Sequence, residues 1–124
     1  MTREMKIPGH DHPITIEPSS DRVIVRAGGA TLADSSITLV LREANYPPVR
    51  YIPLSDVDQT LLTPSDTSTY CPYKGDASYR SITSDPDRGK DAVWFYDQPF
   101  DAVKPIRDHV AFYGDRVQIT VEEA

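Results

Sequence analysis

At 124 residues the chain can bury one core without staples, and 39% hydrophobic with 26% charged residues marks a folded domain rather than a disordered one. A net charge of −6 excludes a general attraction to nucleic acid or anionic membrane, so neither is expected as a partner. Eleven prolines argue against long helices, and the single cysteine leaves neither an intramolecular disulfide nor a multi-cysteine zinc site.

The opening "MTREMKIPGHDHP" has no apolar stretch of the signal-peptide kind, and no run reaches membrane-spanning length, which predicts a cytoplasmic protein. Residues 1–11 read as a loosely held arm, and residues 12–124 as a single domain. "HDH" at 10–12 has no second ligand cluster, so no metal is expected there. Strand patterns follow. "PITIE", "DRVIVRA" and "SSITLVLRE" alternate apolar and polar residues, and "AGGA" at 27–30 suits a hairpin turn. "VRYIP", "TSTYC", "DASYRSI" and "KDAVWFYD" add β-branched and aromatic runs, and "DRVQITVEE" aligns Val117, Ile119 and Val121. Two short helices are predicted. "LSDVDQTLL" has Ser55 as N-cap and ends at Pro64, and "FDAVKPIRDHV" aligns Val103, Ile106 and Val110. "TSDPDRGKD" at 83–91 reads as an exposed loop. The expectation is one mainly-β domain of about eight strands with one or two short helices.

Three features depart from a plain β domain. Glu43 continues the inward register of Leu39 and Leu41, so it either leaves the strand into solvent or sits at a pocket mouth as base or ligand contact. Cys71 reads either as a small buried hydrophobe or as a nucleophile whose thiol pKa is lowered by Lys74. The Lys74–Gly75 turn can be an exposed corner with Gly75 at positive φ, or can present an ammonium to an anionic ligand. Seven tyrosines and Trp94 are many polar-tipped rings for one domain, and a cluster near Cys71 would suit a planar or apolar ligand.

The segments "HPITIEP", "YPPVRYIP", "LLTPSDTSTYCPYKGDASY", "DAVWFYDQP" and "VAFYGDRVQI" occur in an order that resembles the domain-of-unknown-function family numbered 427, over almost the whole chain. That family is also catalogued under a nucleotidyltransferase-like label. The resemblance implies a small, single-domain, antiparallel fold of the β-tent kind. It implies no agreed activity and no named cofactor. Its recurring positions fall on Glu43, Tyr51, Asp66, Thr67 and the run Cys71 to Gly75, then on Tyr79, Trp94, Tyr96 and Tyr113. Arg80 departs from the pattern, which often carries tryptophan there, and changes either a pocket rim or exposed surface. The "SDVD" and "SDPD" pairs read as capping and turn chemistry, and no phosphate loop follows either.

The resulting expectation is a small-ligand-binding β domain, monomeric or homodimeric. Its pocket is lined by Cys71, Tyr73, Lys74, Tyr79 and Trp94, with Glu43 and Tyr51 opposite and Lys74 holding an anionic group. The alternatives are an enzyme using Cys71 as nucleophile or Glu43 as general base with Lys74 as stabiliser, and a structural or partner-binding domain.

Overall fold

Alternating side chains and frequent prolines leave antiparallel pairing as the way to satisfy this backbone, and the computed structural model, which describes residues 3–124, is built from ten strands. In chain order these are β1 (Ile14–Ser19), β2 (Arg22–Ala27), β3 (Ala30–Ser35), β4 (Thr38–Glu43) and β5 (Val49–Pro53). There follow β6 (Leu62–Cys71), β7 (Gly75–Ile82), β8 (Val93–Phe95), β9 (His109–Phe112) and β10 (Gln118–Glu122). A seven-stranded sheet has the order β1-β4-β5-β9-β8-β7-β6, and a three-stranded sheet has the order β10-β2-β3. The fold class implied by the resemblance, mainly β with antiparallel sheets, is the one observed.

The large sheet is packed on both faces, which explains why "VWFY" carries apolar residues at successive positions. Val93 and Phe95 join a cluster with Val23, Val25, Leu32, Ile52, Val110 and Phe112, which seals the small sheet against the large one. Trp94 belongs to a second cluster with Leu41, Tyr51, Tyr79 and Tyr96, capped by Val103 and Ile106. Burial of such side chains stabilises by roughly 1.5–3 kcal/mol each before entropy is charged against it.

Short helical segments occur at both predicted places, but they are 3-10 in type and differ in caps and extent. Over "LSDVDQTLL" there are two short 3-10 turns, Leu54–Asp56 and Gln59–Leu61, and the cap is Asp58 accepting from the Thr60 amide rather than Ser55. Between them Val57 forms a β-bridge with Ala33, and the Asp58 amide donates to the Leu32 carbonyl at 2.8 Å. Tertiary pairing thus takes the amides that an α-helix would need. Pro64 stops no helix; it lies inside β6, beside an irregularity in the pairing between Pro64 and Ser68. "DAVKPI" is 3-10 in character, kinked at Val103, and Val110 sits in β9 instead of on a helix face.

Residues 1 and 2 of the predicted arm lie outside the described residues. Arg3 is paired with Asp76, the Tyr70 hydroxyl donates to the Glu4 carbonyl, and the Lys6 amide donates to Pro72 at 2.9 Å. The segment therefore runs along the β6–β7 hairpin. No helix among the described residues is long and apolar enough to cross a membrane.

Candidate functional site

A cleft of about 810 Å³ opens where the small sheet meets the large one. Cross-strand pairing sets its first wall. Val23 lies opposite Val121 and Val25 opposite Ile119, so all four share one face of the small sheet, and all four line the cleft. The two β2 valines are fully buried, whereas Ile119 and Val121 remain 40% and 42% exposed, which marks β10 as the rim. The predicted core alternation of β10 therefore faces the cleft rather than a closed interior.

Aromatic residues of the second cluster complete the lining from the large sheet. Trp94 packs against Tyr113 with ring centroids 4.4 Å apart, and Tyr51 meets Trp94 edge-on at 6.5 Å. Tyr79 and Tyr96 complete that side, and the Tyr79 hydroxyl is 2.9 Å from Thr69 Oγ1. Burial pushes the Tyr51 and Tyr96 phenols well above the usual tyrosine range. Burial, then the hydroxyl of Tyr79, pushes Tyr113 up to about 12. At neutral pH all three keep their protons.

Three charged residues line the cleft: Arg50, which pairs with Asp21 at 3.3 Å, and the more deeply buried pair Glu43 and Lys74. Glu43 ends β4, turned inward, and its carboxylate receives the Lys74 ammonium on Oε1 and His12 Nε2 on Oε2, the latter at 2.7 Å. Burial alone would raise the Glu43 carboxyl; the hydrogen bonds from Lys74 and His12 outweigh it and hold the group below the ordinary glutamate value. Lys74 is buried in spite of its charge, because the β6–β7 turn points it inward. That turn needs Gly75, whose φ is +110°, and a Cβ there would approach Gln98 O at 3.4 Å.

His12 is the site residue missing from the pocket expected from the sequence. It lies in "HDH", set aside as a metal motif, yet the β1–β4 register pairs Ile14 with Glu43, and the Ala44 amide donates to the Pro13 carbonyl at 2.8 Å. The chain just before β1 must therefore pass beside Glu43. His12 stacks on Tyr73 at 4.0 Å between centroids, with planes 7° apart. The non-local β1–β4 register, had it been assigned from "PITIE" and "TLVLRE", would have pointed to this histidine.

Of the sequence-predicted pocket residues, Glu43, Tyr51, Lys74, Tyr79 and Trp94 line the cleft together. Cys71 and Tyr73 do not. Cys71 is half-buried against the second core cluster, and the Lys74 ammonium is engaged by Glu43 rather than by the thiol. Arg80, the departure from the family pattern, is not at the cleft rim; its guanidinium lies over the Phe95 ring at 4.8 Å. Cys71→Ala is expected to cost about 1–2 kcal/mol in a urea melt, for a small group lost from a partly closed site. The same variant is expected to leave cleft occupancy by a fluorescent probe unchanged within about twofold, less than one hydrogen bond is worth.

The Asp pairs have structural partners. Asp56 accepts from the Ser35 hydroxyl at 2.6 Å, and Asp85 receives the Arg88 amide at 3.3 Å.

The fold and this cleft together define a small mainly-β domain with a recessed, largely apolar site between its sheets. Residues 15–123 match the model of NTP_transf_9, a domain of unknown function (DUF427), and the chain belongs to that family. Among curated proteins, none matches the chain.

Proposed function

We propose that this is a cytoplasmic small-ligand-binding domain, whose ligand places a flat or apolar body in the cleft and a polar group near Glu43 and Lys74. One observation carries this reading: a cleft of about 810 Å³ walled by valines and tyrosines, with its buried charges gathered at one end. That is the usual composition of a small-molecule site, apolar in the main with a few placed polar groups. Two features favour binding over catalysis. Glu43, held ionised by two donors, is a weaker base than an ordinary glutamate. Cys71, the candidate nucleophile, packs outside the cleft.

Trp94 is the chain's one tryptophan and stands in the cleft wall, so its fluorescence reports occupancy. The neutral probe N-phenyl-1-naphthylamine is expected to bind the native chain saturably at one site, with energy transfer from Trp94. Val25→Asp or Ile119→Asp is expected to weaken it by about tenfold or more, because a carboxylate then faces the apolar body. Non-saturating uptake, or equal uptake by both variants, would sink the proposal.

A further inference from the structure

Four strands form the edges of the two sheets, and an edge is a row of backbone amides and carbonyls open to another chain. Three of the four are blunted. β1 carries Pro18, which has no amide to give. β6 carries Pro64, loses its register between Pro64 and Ser68, and has the Lys6 amide bonded to the Pro72 carbonyl just beyond it. β3 is covered by the chain that follows β5: Ala33 bridges Val57, and the Leu32 carbonyl accepts the Asp58 amide. β10 has no such protection. It contains no proline and no irregularity, pairs only with β2, and among the described residues receives no backbone hydrogen bond from outside its sheet.

This edge is also apolar. Ile119 and Val121 stand exposed on its cleft face, and the exposed rings of Tyr46 and Tyr113 line the same cleft. Four of the seven large apolar side chains left exposed among the described residues thus share one cleft, which marks it as a place of association.

The occupant that fits is a second copy of the same strand. The β2–β10 register puts Val25 beside Ile119 and Val23 beside Val121 on the cleft face. On the other face it puts Arg26 beside Gln118, Ile24 beside Thr120 and Arg22 beside Glu122. Two copies of β10 laid antiparallel about Thr120 match row by row. Ile119 opposes the partner's Val121, so an apolar row crosses from one copy to the other. Thr120 opposes the partner's Thr120, a pairing that hydroxyl hydrogen bonds favour. Gln118 opposes the partner's Glu122 and can donate to it. Parallel pairing would instead set Glu122 against the partner's Glu122, and like charges directly opposite destabilise. Since the other edges of the chain are blunted, the contact closes at two copies rather than growing into a filament.

We propose that β10 is a dimer edge: two chains join through antiparallel β10 strands into one six-stranded sheet, and the partner's Val121 extends the cleft wall beside Ile119. The dimer belongs to the free chain and stands apart from the ligand reading.

Sedimentation velocity of the full chain without ligand, over a wide concentration range, is expected to show a reversible monomer–dimer equilibrium, weak as small interfaces are. Gln118 is exposed, so its variants test pairing and not folding. Gln118→Lys, facing the partner's Glu122, is expected to tighten the dimer by about fivefold, and Gln118→Glu to weaken it by about as much, since each dimer holds the pair twice. The same two charges at Thr31, exposed on β3, are expected to change the affinity by less than about twofold, which separates pairing from net charge. In a Cys71→Ala background, Thr120→Cys is expected to form a disulfide dimer on mild oxidation. Directly opposed residues of an antiparallel pair lie about 4.5–5.5 Å apart, within disulfide reach. Thr31→Cys in that background is expected to stay uncrosslinked. A chain that remains monomeric throughout leaves the edge to a strand of a different protein and overturns the proposal. So does a dimer that ignores the Gln118 variants or fails to cross-link through Thr120→Cys.

Discussion

Glu43→Gln is expected to lower the unfolding free energy by about 3 kcal/mol at pH 7, because it strands a buried ammonium. Lys74 is buried and Glu43 is its carboxylate partner, so glutamine leaves a charge with a single neutral contact. The pH dependence fixes the cause. The Glu43 carboxyl lies below its ordinary 4.5 in the folded chain. Its contribution is therefore complete above that unfolded value and is lost as the pH falls through the lower folded one. Urea melts of parent and variant should differ most at neutral pH and converge in acid. A gap that stays constant down to pH 3 would show that the loss is one of packing. Glu43→Gln/Lys74→Met is expected to recover most of the stability, since an apolar chain replaces the stranded charge.

Gly28→Ala is expected to be costlier still than most turn substitutions, at about 3 kcal/mol or more, and its neighbour Gly29→Ala to cost about 1–2 kcal/mol. Both glycines have positive φ, +56° and +80°, so both substitutions carry backbone strain. They differ in what the new methyl group meets. At Gly28 a Cβ would stand 1.8 Å from the Ser84 carbonyl oxygen, whereas at Gly29 nothing lies within 4 Å. The Ser84 hydroxyl also donates to the Ala27 carbonyl at 2.8 Å, so the 83–91 loop is clamped to the β2–β3 turn. Thermal melts of the two variants separate the effects: equal shifts would mean that strain alone decides.

Period-two alternation was enough to read β1, β2, β4 and β10, since half-buried strands print their two faces directly into the sequence, and β-branched or aromatic runs marked β5 to β8. What escaped was decided at a distance. β9 carries "HVAF", which helical spacing also accommodates, and only its pairing with β5 and β8 makes it a strand. "LSDVDQTLL" has helical caps on paper but lends Val57 to β3. At the site, Glu43 stood out because a carboxylate in an inward register needs a partner. Lys74 stood out because of its turn. Their meeting, and the arrival of His12, depend on β1 pairing with β4 and on the β6–β7 hairpin folding over, neither of which a local pattern encodes.

β10 pairs only with β2, so the outer wall of the cleft is made by the last strand of the chain against one of the first. During synthesis the edge of β2 that meets β10 must stay unpaired until β10 itself has been made. Contacts of such long sequence separation form late and slowly. A ligand of the cleft would therefore act only on the final stage of folding. It would slow the detachment of β10 while leaving the assembly of the large sheet as fast as before.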